Sequence, residues 1–336
     1  MGPVLRYVGR RLLLMIPMLV LISFLSFVII QLPPGDYVDT YARNLASEGG
    51  SVNADQLAAL RAQYGLDQPM LVQYLVWMKH ILFHWDFGTS FAYNQPVSEI
   101  LAERVPRTML ISLVSIALTW AIAVPVGIYS AVRKYSVGDY VVTFLSFVGL
   151  AVPGFLVALV LMLLVYDHTG FLITGLFSPP YREAPWSVDR VLDLLRNVWL
   201  PLVVLTVAGI GGIVRVLRAS LLDELGKQYV VTARAKGLTE GQVLRRYPLR
   251  LAMNPLLSTI GWMLPATVGG EIVVSKVLNL PTTGPVLLES IQSQDMYLTG
   301  AIVLLLSALT IIGTVISDVA LAVADPRIRY ERSRAA

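Results

Sequence analysis

The sequence predicts an all-α integral membrane protein with six transmembrane helices, both termini cytoplasmic, and a long cytoplasmic loop between helices four and five. Three observations carry this. Hydrophobic residues make up 56% of the 336-residue chain and charged residues only 14%, well below the roughly 25% charged residues of soluble domains. The charges are clustered, which leaves six long stretches without any. Lysine and arginine then collect on alternate connectors, as cytoplasmic loops require.

The first uncharged stretch, Leu12 to Gly35, follows Arg6, Arg10 and Arg11, which hold the N-terminus inside. Its apolar run reaches the roughly 20 residues a spanning helix needs. It ends in LPPGD and not in a small-residue cleavage pattern, so it reads as a retained anchor and not a signal peptide. The second stretch is Thr108 to Val132, and Arg133 and Lys134 follow it on the inside. Tyr140 to Tyr166 reads as one crossing back out. The fourth, Asn197 to Val214, is the shortest and uses Arg215 as a snorkelling end. The connector after it carries Arg215, Arg218, Lys227, Arg234, Lys236, Arg245, Arg246 and Arg250. Leu251 to Gly270 and Met296 to Ser317 complete the set, and Arg327, Arg329, Arg332 and Arg334 keep the C-terminus inside. One topology satisfies every loop.

The segments outside the spans define the organisation. Residues 1–107 form an anchor helix plus a long extracytoplasmic loop, 108–325 a transmembrane core, and 326–336 a cytoplasmic tail. In the first outer loop Asn53 caps a helix with Gln56 three residues on and Gly65 past its end, and Leu57, Leu60 and Tyr64 share a face. A second amphipathic helix covers about Met70 to Leu82, with Tyr74 and Trp77 expected at the membrane–water interface. This loop reads as a lid on the outer face. The second outer segment opens irregularly with FSPPYREAP and turns helical from Ser187. The third contains LPTTGP.

Chemistry of its own is not expected. With no cysteine there is no disulfide, thiol nucleophile or cysteine metal site. His80 and His84 have helical ligand spacing, but Ile81 stands where a zinc-protease helix has Glu and no third ligand is apparent, so packing is the better reading. No phosphate-binding glycine loop and no serine–histidine–acid arrangement occurs, and no basic patch with interleaved aromatics points to nucleic acid. Proline and glycine within spans mark kinks, which membranes allow where protein or a cavity satisfies the freed backbone. Pro153, Gly269, Gly270 and the intramembrane acid Glu271 are therefore candidates for a transport path or gate, with routine packing as the alternative. Asp318 is expected to partner an inner arginine.

The inner connector is the most heavily punctuated part of the chain: YVVTARAKGLTEGQV, Tyr229 to Val243. Gly237 suits the left-handed residue past a helix end. Thr239 and Gln242 have capping-box spacing, and Leu238 and Val243 occupy the positions of a hydrophobic staple. This predicts a stiff corner between two short helices. Tyr229, Ala233 and Lys236 share a face on the first, where small Ala233 admits a partner. A hairpin lying on anionic lipid is the competing reading. It calls for a broad apolar face and no fixed corner, so an interface fits better.

YVVTARAKGLTEGQVLRRYPLR resembles the inner loop of permease subunits of bacterial ABC importers, in particular the oligopeptide/dipeptide (peptide/nickel/opine) permease family, where a form close to TARAKGL is typical. Of the wider Glu-Ala-Ala signature only Ala233, Gly237 and Leu249 match; Val231, Thr232, Tyr247 and Arg250 depart from it. GLDQP, QYLVW, DFGTSF and DPRIR resemble other parts of the same family, in order along the chain. The resemblance implies a non-catalytic, multi-pass subunit of a binding-protein-dependent importer in the bacterial inner membrane. It pairs with a second permease to form a path for small oligopeptides. Two ABC ATPase subunits bind ATP and magnesium, and an extracytoplasmic solute-binding protein delivers the ligand. Tyr229, Thr232, Ala233, Arg234, Ala235, Lys236, Gly237 and Leu238 would form the ATPase-coupling loop. LPTTGP departs from the LPGLG-like form usual in peptide members, which keeps an oligosaccharide as the alternative substrate. A secondary transporter would show repeat symmetry and paired intramembrane charges, and neither is evident. An intramembrane hydrolase would need a nucleophile and base within spans, and no histidine lies securely inside one.

Overall fold

The structure, a computed structural model, describes residues 2–32, 53–63 and 66–324, together with 38, 39, 42, 43 and 46. Side chains of 2–12, 14, 262, 264, 267, 270, 271 and 322–324 fall outside that description, as do Tyr64, Gly65, the DPRIR segment and the tail. Among the described residues the chain is helical, with one isolated bridge, Thr89 to Pro96. Among the described residues three helices are long and apolar enough to cross a membrane, and a bent pair is either a fourth, broken span or a re-entrant loop. The chain is thus an all-α, multi-pass membrane protein. It divides into two compact units, 1–108 with 281–309, and 109–280 with 310–336.

The first unit contains α1 (Gly2–Gln31), α2 (Ala54–Gln63), α3 (Met70–His84), the start of α4 (Val97–Val132), α12 (Thr283–Gln292) and the first half of α13 (Met296–Ala324). Asn53 begins α2 as expected, its N–H donating to Gln56 Oε1 at 3.3 Å. The aromatics of α3 do not sit where the sequence reading put them. Tyr74 and Trp77 are buried against α1 and are not surface anchors. Tyr74 meets Phe24 and Phe27 edge-on at 5.2 and 5.5 Å, and Trp77 stacks on Phe27 at 5.8 Å. Their polar tips are satisfied internally, Trp77 Nε1 by Phe87 O at 3.0 Å and the Tyr74 hydroxyl by Ser23 and Val20. With no polar atom left over, nothing requires a headgroup partner.

Asp295, fully buried, ties the DFGTSF loop to the start of α13. Its carboxylate accepts from Ser90 Oγ (2.6 Å), Ala92 N (3.1 Å) and Leu298 N (3.1 Å). Burial pushes this carboxyl above its ordinary value, against the pull of those donors.

The second unit holds the rest of α4, then α5 (Val137–Ala151), α6 (Gly154–Thr169), α7 (Val188–Leu225), α8 (Gln228–Ala235), α9 (Glu240–Arg246), α10 (Pro248–Ala252), α11 (Asn254–Val277) and the end of α13. The stretch expected as one crossing with a kink at Pro153 is two helices, α5 and α6, bent by 100°. Val152 leaves the helix with extended backbone and Pro153 begins α6, because the proline ring disfavours helical geometry in the residue before it. Ser187 caps α7, accepting from Arg190 N at 3.2 Å, so that helix starts where expected. It runs on to Leu225, which places Arg215 and Arg218 on the helix and not in a loop.

Two apolar clusters lie along α7. Leu200 and Val204 pack with Ile111, Ala158, Val274 and Leu278, and Ile213, Leu217 and Leu221 pack with Ala123, Ala131, Ala252 and Leu256. In the segment before α7, the Arg190 guanidinium lies 4.7 Å from both the Phe177 and Trp186 rings, while Asp193 accepts from Ser178 N and Oγ at 2.7 and 2.6 Å. The irregular FSPPYREAP stretch is thereby pinned to the first turns of α7.

Candidate functional site

The hairpin of α8 and α9 follows directly from its sequence. α8 ends in a Schellman motif: Gly237 N–H donates to Arg234 O at 2.9 Å and Leu238 N–H to Ala233 O at 3.4 Å. Gly237 sits at φ +79°, where any Cβ is strained. α9 opens on a complete capping box, with Thr239 N–H donating to Gln242 Oε1 at 3.1 Å. Val230, Ala233 and Val243 form a small core between the two helices, with Tyr229 and Leu238 packed on it. Leu238, expected to staple onto Val243, packs on the cluster that contains it.

Ala233 corrects the sequence reading. It is buried inside the hairpin and offers no surface to a partner. Its small size serves the α8–α9 approach. Tyr229 likewise turns inward: its hydroxyl donates to Glu224, its ring lies 6.3 Å from that of Tyr247, and burial raises its pKa. The outward face is made of Val231, Thr232, Arg234, Ala235, Lys236 and Gly237, all exposed. Arg234 forks onto Glu240 at 2.8 and 3.0 Å, which lowers the Glu240 pKa and raises that of Arg234. Val231 and Thr232, which depart from the wider signature, thus stand on the free face.

The hairpin is seated as well as stiff. Leu244 of α9 packs on the cluster that includes Leu217, Leu221 and Ala252. Two turns before the end of α7, Arg218 grips Asp139 with Nε and Nη2, both at 2.7 Å. Asp139 is almost wholly buried and also accepts from Tyr135 N at 2.8 Å and from Ser130. The α4–α5 connector and the α7–α8 corner are therefore braced to the same helix. Sequence reasoning missed this pair. Its signal was an aspartate at the edge of an uncharged stretch.

The path candidates are only partly brought together. Pro153 is at the α5–α6 bend, and neighbouring Gly154 lies against Val274 of α11, with 3.4 Å from its Cβ position to a Val274 methyl. Gly269 and Gly270 belong to the turn of α11 just before, Gly269 exposed with open space at its Cβ position. Glu271 is on that helix too, and its side chain lies outside the described residues. His80 and His84 face each other at 5.9 Å on an exposed stripe of α3, and no group of three or more metal-ligating residues occurs among the described residues.

Comparison with known proteins agrees with this architecture. Residues 123–330 match the family described as binding-protein-dependent transport system inner membrane component, and 4–113 match its N-terminal part. The chain is 36% identical to the oligopeptide transport system permease protein of Bacillus subtilis over 96% of its length and 99% of the relative's. It is 36% identical to a putative peptide permease protein of Brucella ovis, over 97% and 99%. A dipeptide transport system permease protein of Lactococcus lactis is 29% identical over 96% and 99%. The chain therefore belongs to the inner membrane components of binding-protein-dependent transport systems, the permease subunits of ABC transporters that work with a binding protein and an ATPase.

Proposed function

We propose that this chain is a non-catalytic permease subunit of an ATP-driven importer of small peptides. It crosses the bacterial inner membrane six times with both termini inside, and forms the translocation path with a second, similar permease. The division into a 1–107 anchor and outer loop, a 108–325 core and a 326–336 tail belongs to this reading. The peptide substrate rests on the names of the relatives, three of which are peptide permeases matched end to end. Two ATPase subunits bind ATP and magnesium, and the loop 229–238 couples to one of them. The α8–α9 hairpin is the observation that carries the coupling role. It is capped on both sides of one corner, anchored through Leu244, and exposed along one face among the described residues. Rocking the spans from below requires a connector that does not bend.

Two variants test the coupling role in the assembled importer. Gly237→Val forces a β-branched residue into left-handed backbone, breaking the corner. Ala235→Trp leaves the corner intact and adds bulk to the exposed face. Both should abolish substrate-stimulated ATP hydrolysis, and Ala235→Trp should also weaken copurification of the ATPase. Wild-type stimulation in both variants would remove the loop from the coupling path.

A further inference from the structure

We infer that α3 lies within the outer leaflet of the bilayer as a non-spanning helix, with its outward face against lipid acyl chains. This rests on the six-span reading, in which Gln31 is near the outer end of α1. Gln31 Nε2 donates there to Gln73 Oε1 at 2.9 Å. The Tyr74 hydroxyl, one residue on, reaches Ser23 Oγ at 2.8 Å and Val20 O at 3.3 Å. At 1.5 Å per residue these atoms lie about 12 to 16 Å below Gln31, near the middle of a hydrocarbon core about 30 Å thick. The tyrosine ring covers only part of that drop. Trp77 agrees with it: it stacks on Phe27, and its ring lies 2.8 Å from the Cβ position of Gly300, one turn into α13.

The surface of α3 divides into three stripes. Tyr74, Trp77 and Ile81 face the protein. Leu71, Leu75 and Leu82, with Val72, Val76 and Phe83 beside them, face outward and are 41–75% exposed. Gln73, His80 and His84 form a narrow polar edge between the two. A helix resting on the protein under water would put its polar residues outward; this one is apolar on both broad faces, as membrane helices are. The α1 helix it packs on is likewise aliphatic outward, at Ile16, Leu21, Leu25 and Ile29. The charge in the outward stripe, Lys79, has a stem long enough to lay on apolar surface while its ammonium reaches lipid phosphates.

The absence of cysteine allows a clean test. Spin labels are placed singly at Leu75→Cys, Leu82→Cys, His80→Cys and, on α1, Leu21→Cys, in the assembled importer in phospholipid nanodiscs. Relaxation by oxygen, which enters lipid, is compared with relaxation by a water-soluble nickel chelate. Labels at 75 and 82 should follow the one at 21, open to oxygen and closed to nickel, and the label at 80 should respond to nickel. If 21 is in lipid while 75 and 82 respond to nickel, α3 is in water and the inference falls. If 75 and 82 are closed to both agents, protein covers them and it falls equally. If 21 also responds to nickel, the six-span reading fails first.

Discussion

At the scale of single residues, the Asp139–Arg218 pair shows what a chain read one stretch at a time conceals. Both residues were visible as charges: Asp139 bounded an uncharged stretch, and Arg218 was one of several inner cations. Their pairing joins positions 79 apart in the chain, which no local pattern encodes. Asp139→Ala would take away the acceptor of the Arg218 guanidinium, the Tyr135 N–H and the Ser130 hydroxyl. Removing one partner of a fully buried pair costs about 3–5 kcal/mol, and because the Arg218 side chain is partly exposed the cost here falls below that range. The thermal unfolding midpoint of the detergent-solubilised chain should fall sharply for Asp139→Ala, and less for Asp139→Asn, which keeps an acceptor for Tyr135. Equal midpoints for wild type and Asp139→Ala would mean that the brace carries no load. Tyr74 and Trp77 teach a related lesson. Their type matched the interfacial rule, but the rings that bury them lie on α1, about fifty positions earlier.

At the scale of elements, ends were more legible than faces. The caps at Ser187 and Thr239 and the glycine stop at Gly237 are local chemistry, and each appears where the residues place it. Which face of α8 is free was not local. Ala233 turned inward because Val243, from the next helix, needed a small residue opposite it. Pro153 and Gly154 marked a break, but its 100° size depends on what α5 and α6 each pack against. Helix crossings were also hidden. Gly261 and Gly313 bring α11 and α13 to backbone contact: a Cβ at Gly313 would lie 2.7 Å from Gly261 O, and one at Gly261 would lie 3.0 Å from Thr314 Cα. Small residues of this kind let membrane helices approach. Gly313→Ala meets backbone that cannot rotate away, so the helices must part. Overpacking of this kind costs about 1–3 kcal/mol. The variant should unfold at lower temperature than wild type, while Gly212→Ala, a helix position with no atom within 4 Å of its Cβ, should not.

At the scale of the whole molecule, the proposed six-span topology leans on the distribution of lysine and arginine at a point that helix geometry leaves open. A pair of helices bent by 100° can cross the bilayer or turn back as a re-entrant loop. If α5 and α6 turned back, residues 134 and 183 would lie on the same side. α7 would then run outward, carrying Lys227, Arg234, Lys236, Arg245, Arg246 and Arg250 to the outer face. Short loops so rich in lysine and arginine belong on the cytoplasmic side. On the proposed six-span reading the pair therefore crosses, and the α8–α9 hairpin lies inside. Single cysteines introduced at Lys134, Glu183 and Gly241 test this, since all three positions are exposed and Gly241 has open space at its Cβ position. A membrane-impermeant maleimide added to intact cells with a permeable outer envelope should label Glu183→Cys alone. Lys134→Cys and Gly241→Cys should react only once the inner membrane is opened. Labelling of Glu183→Cys and Lys134→Cys from the same side would make the bent pair re-entrant. That result would reverse the sidedness of one end of the chain and separate the hairpin from either the N-terminal or the C-terminal basic cluster.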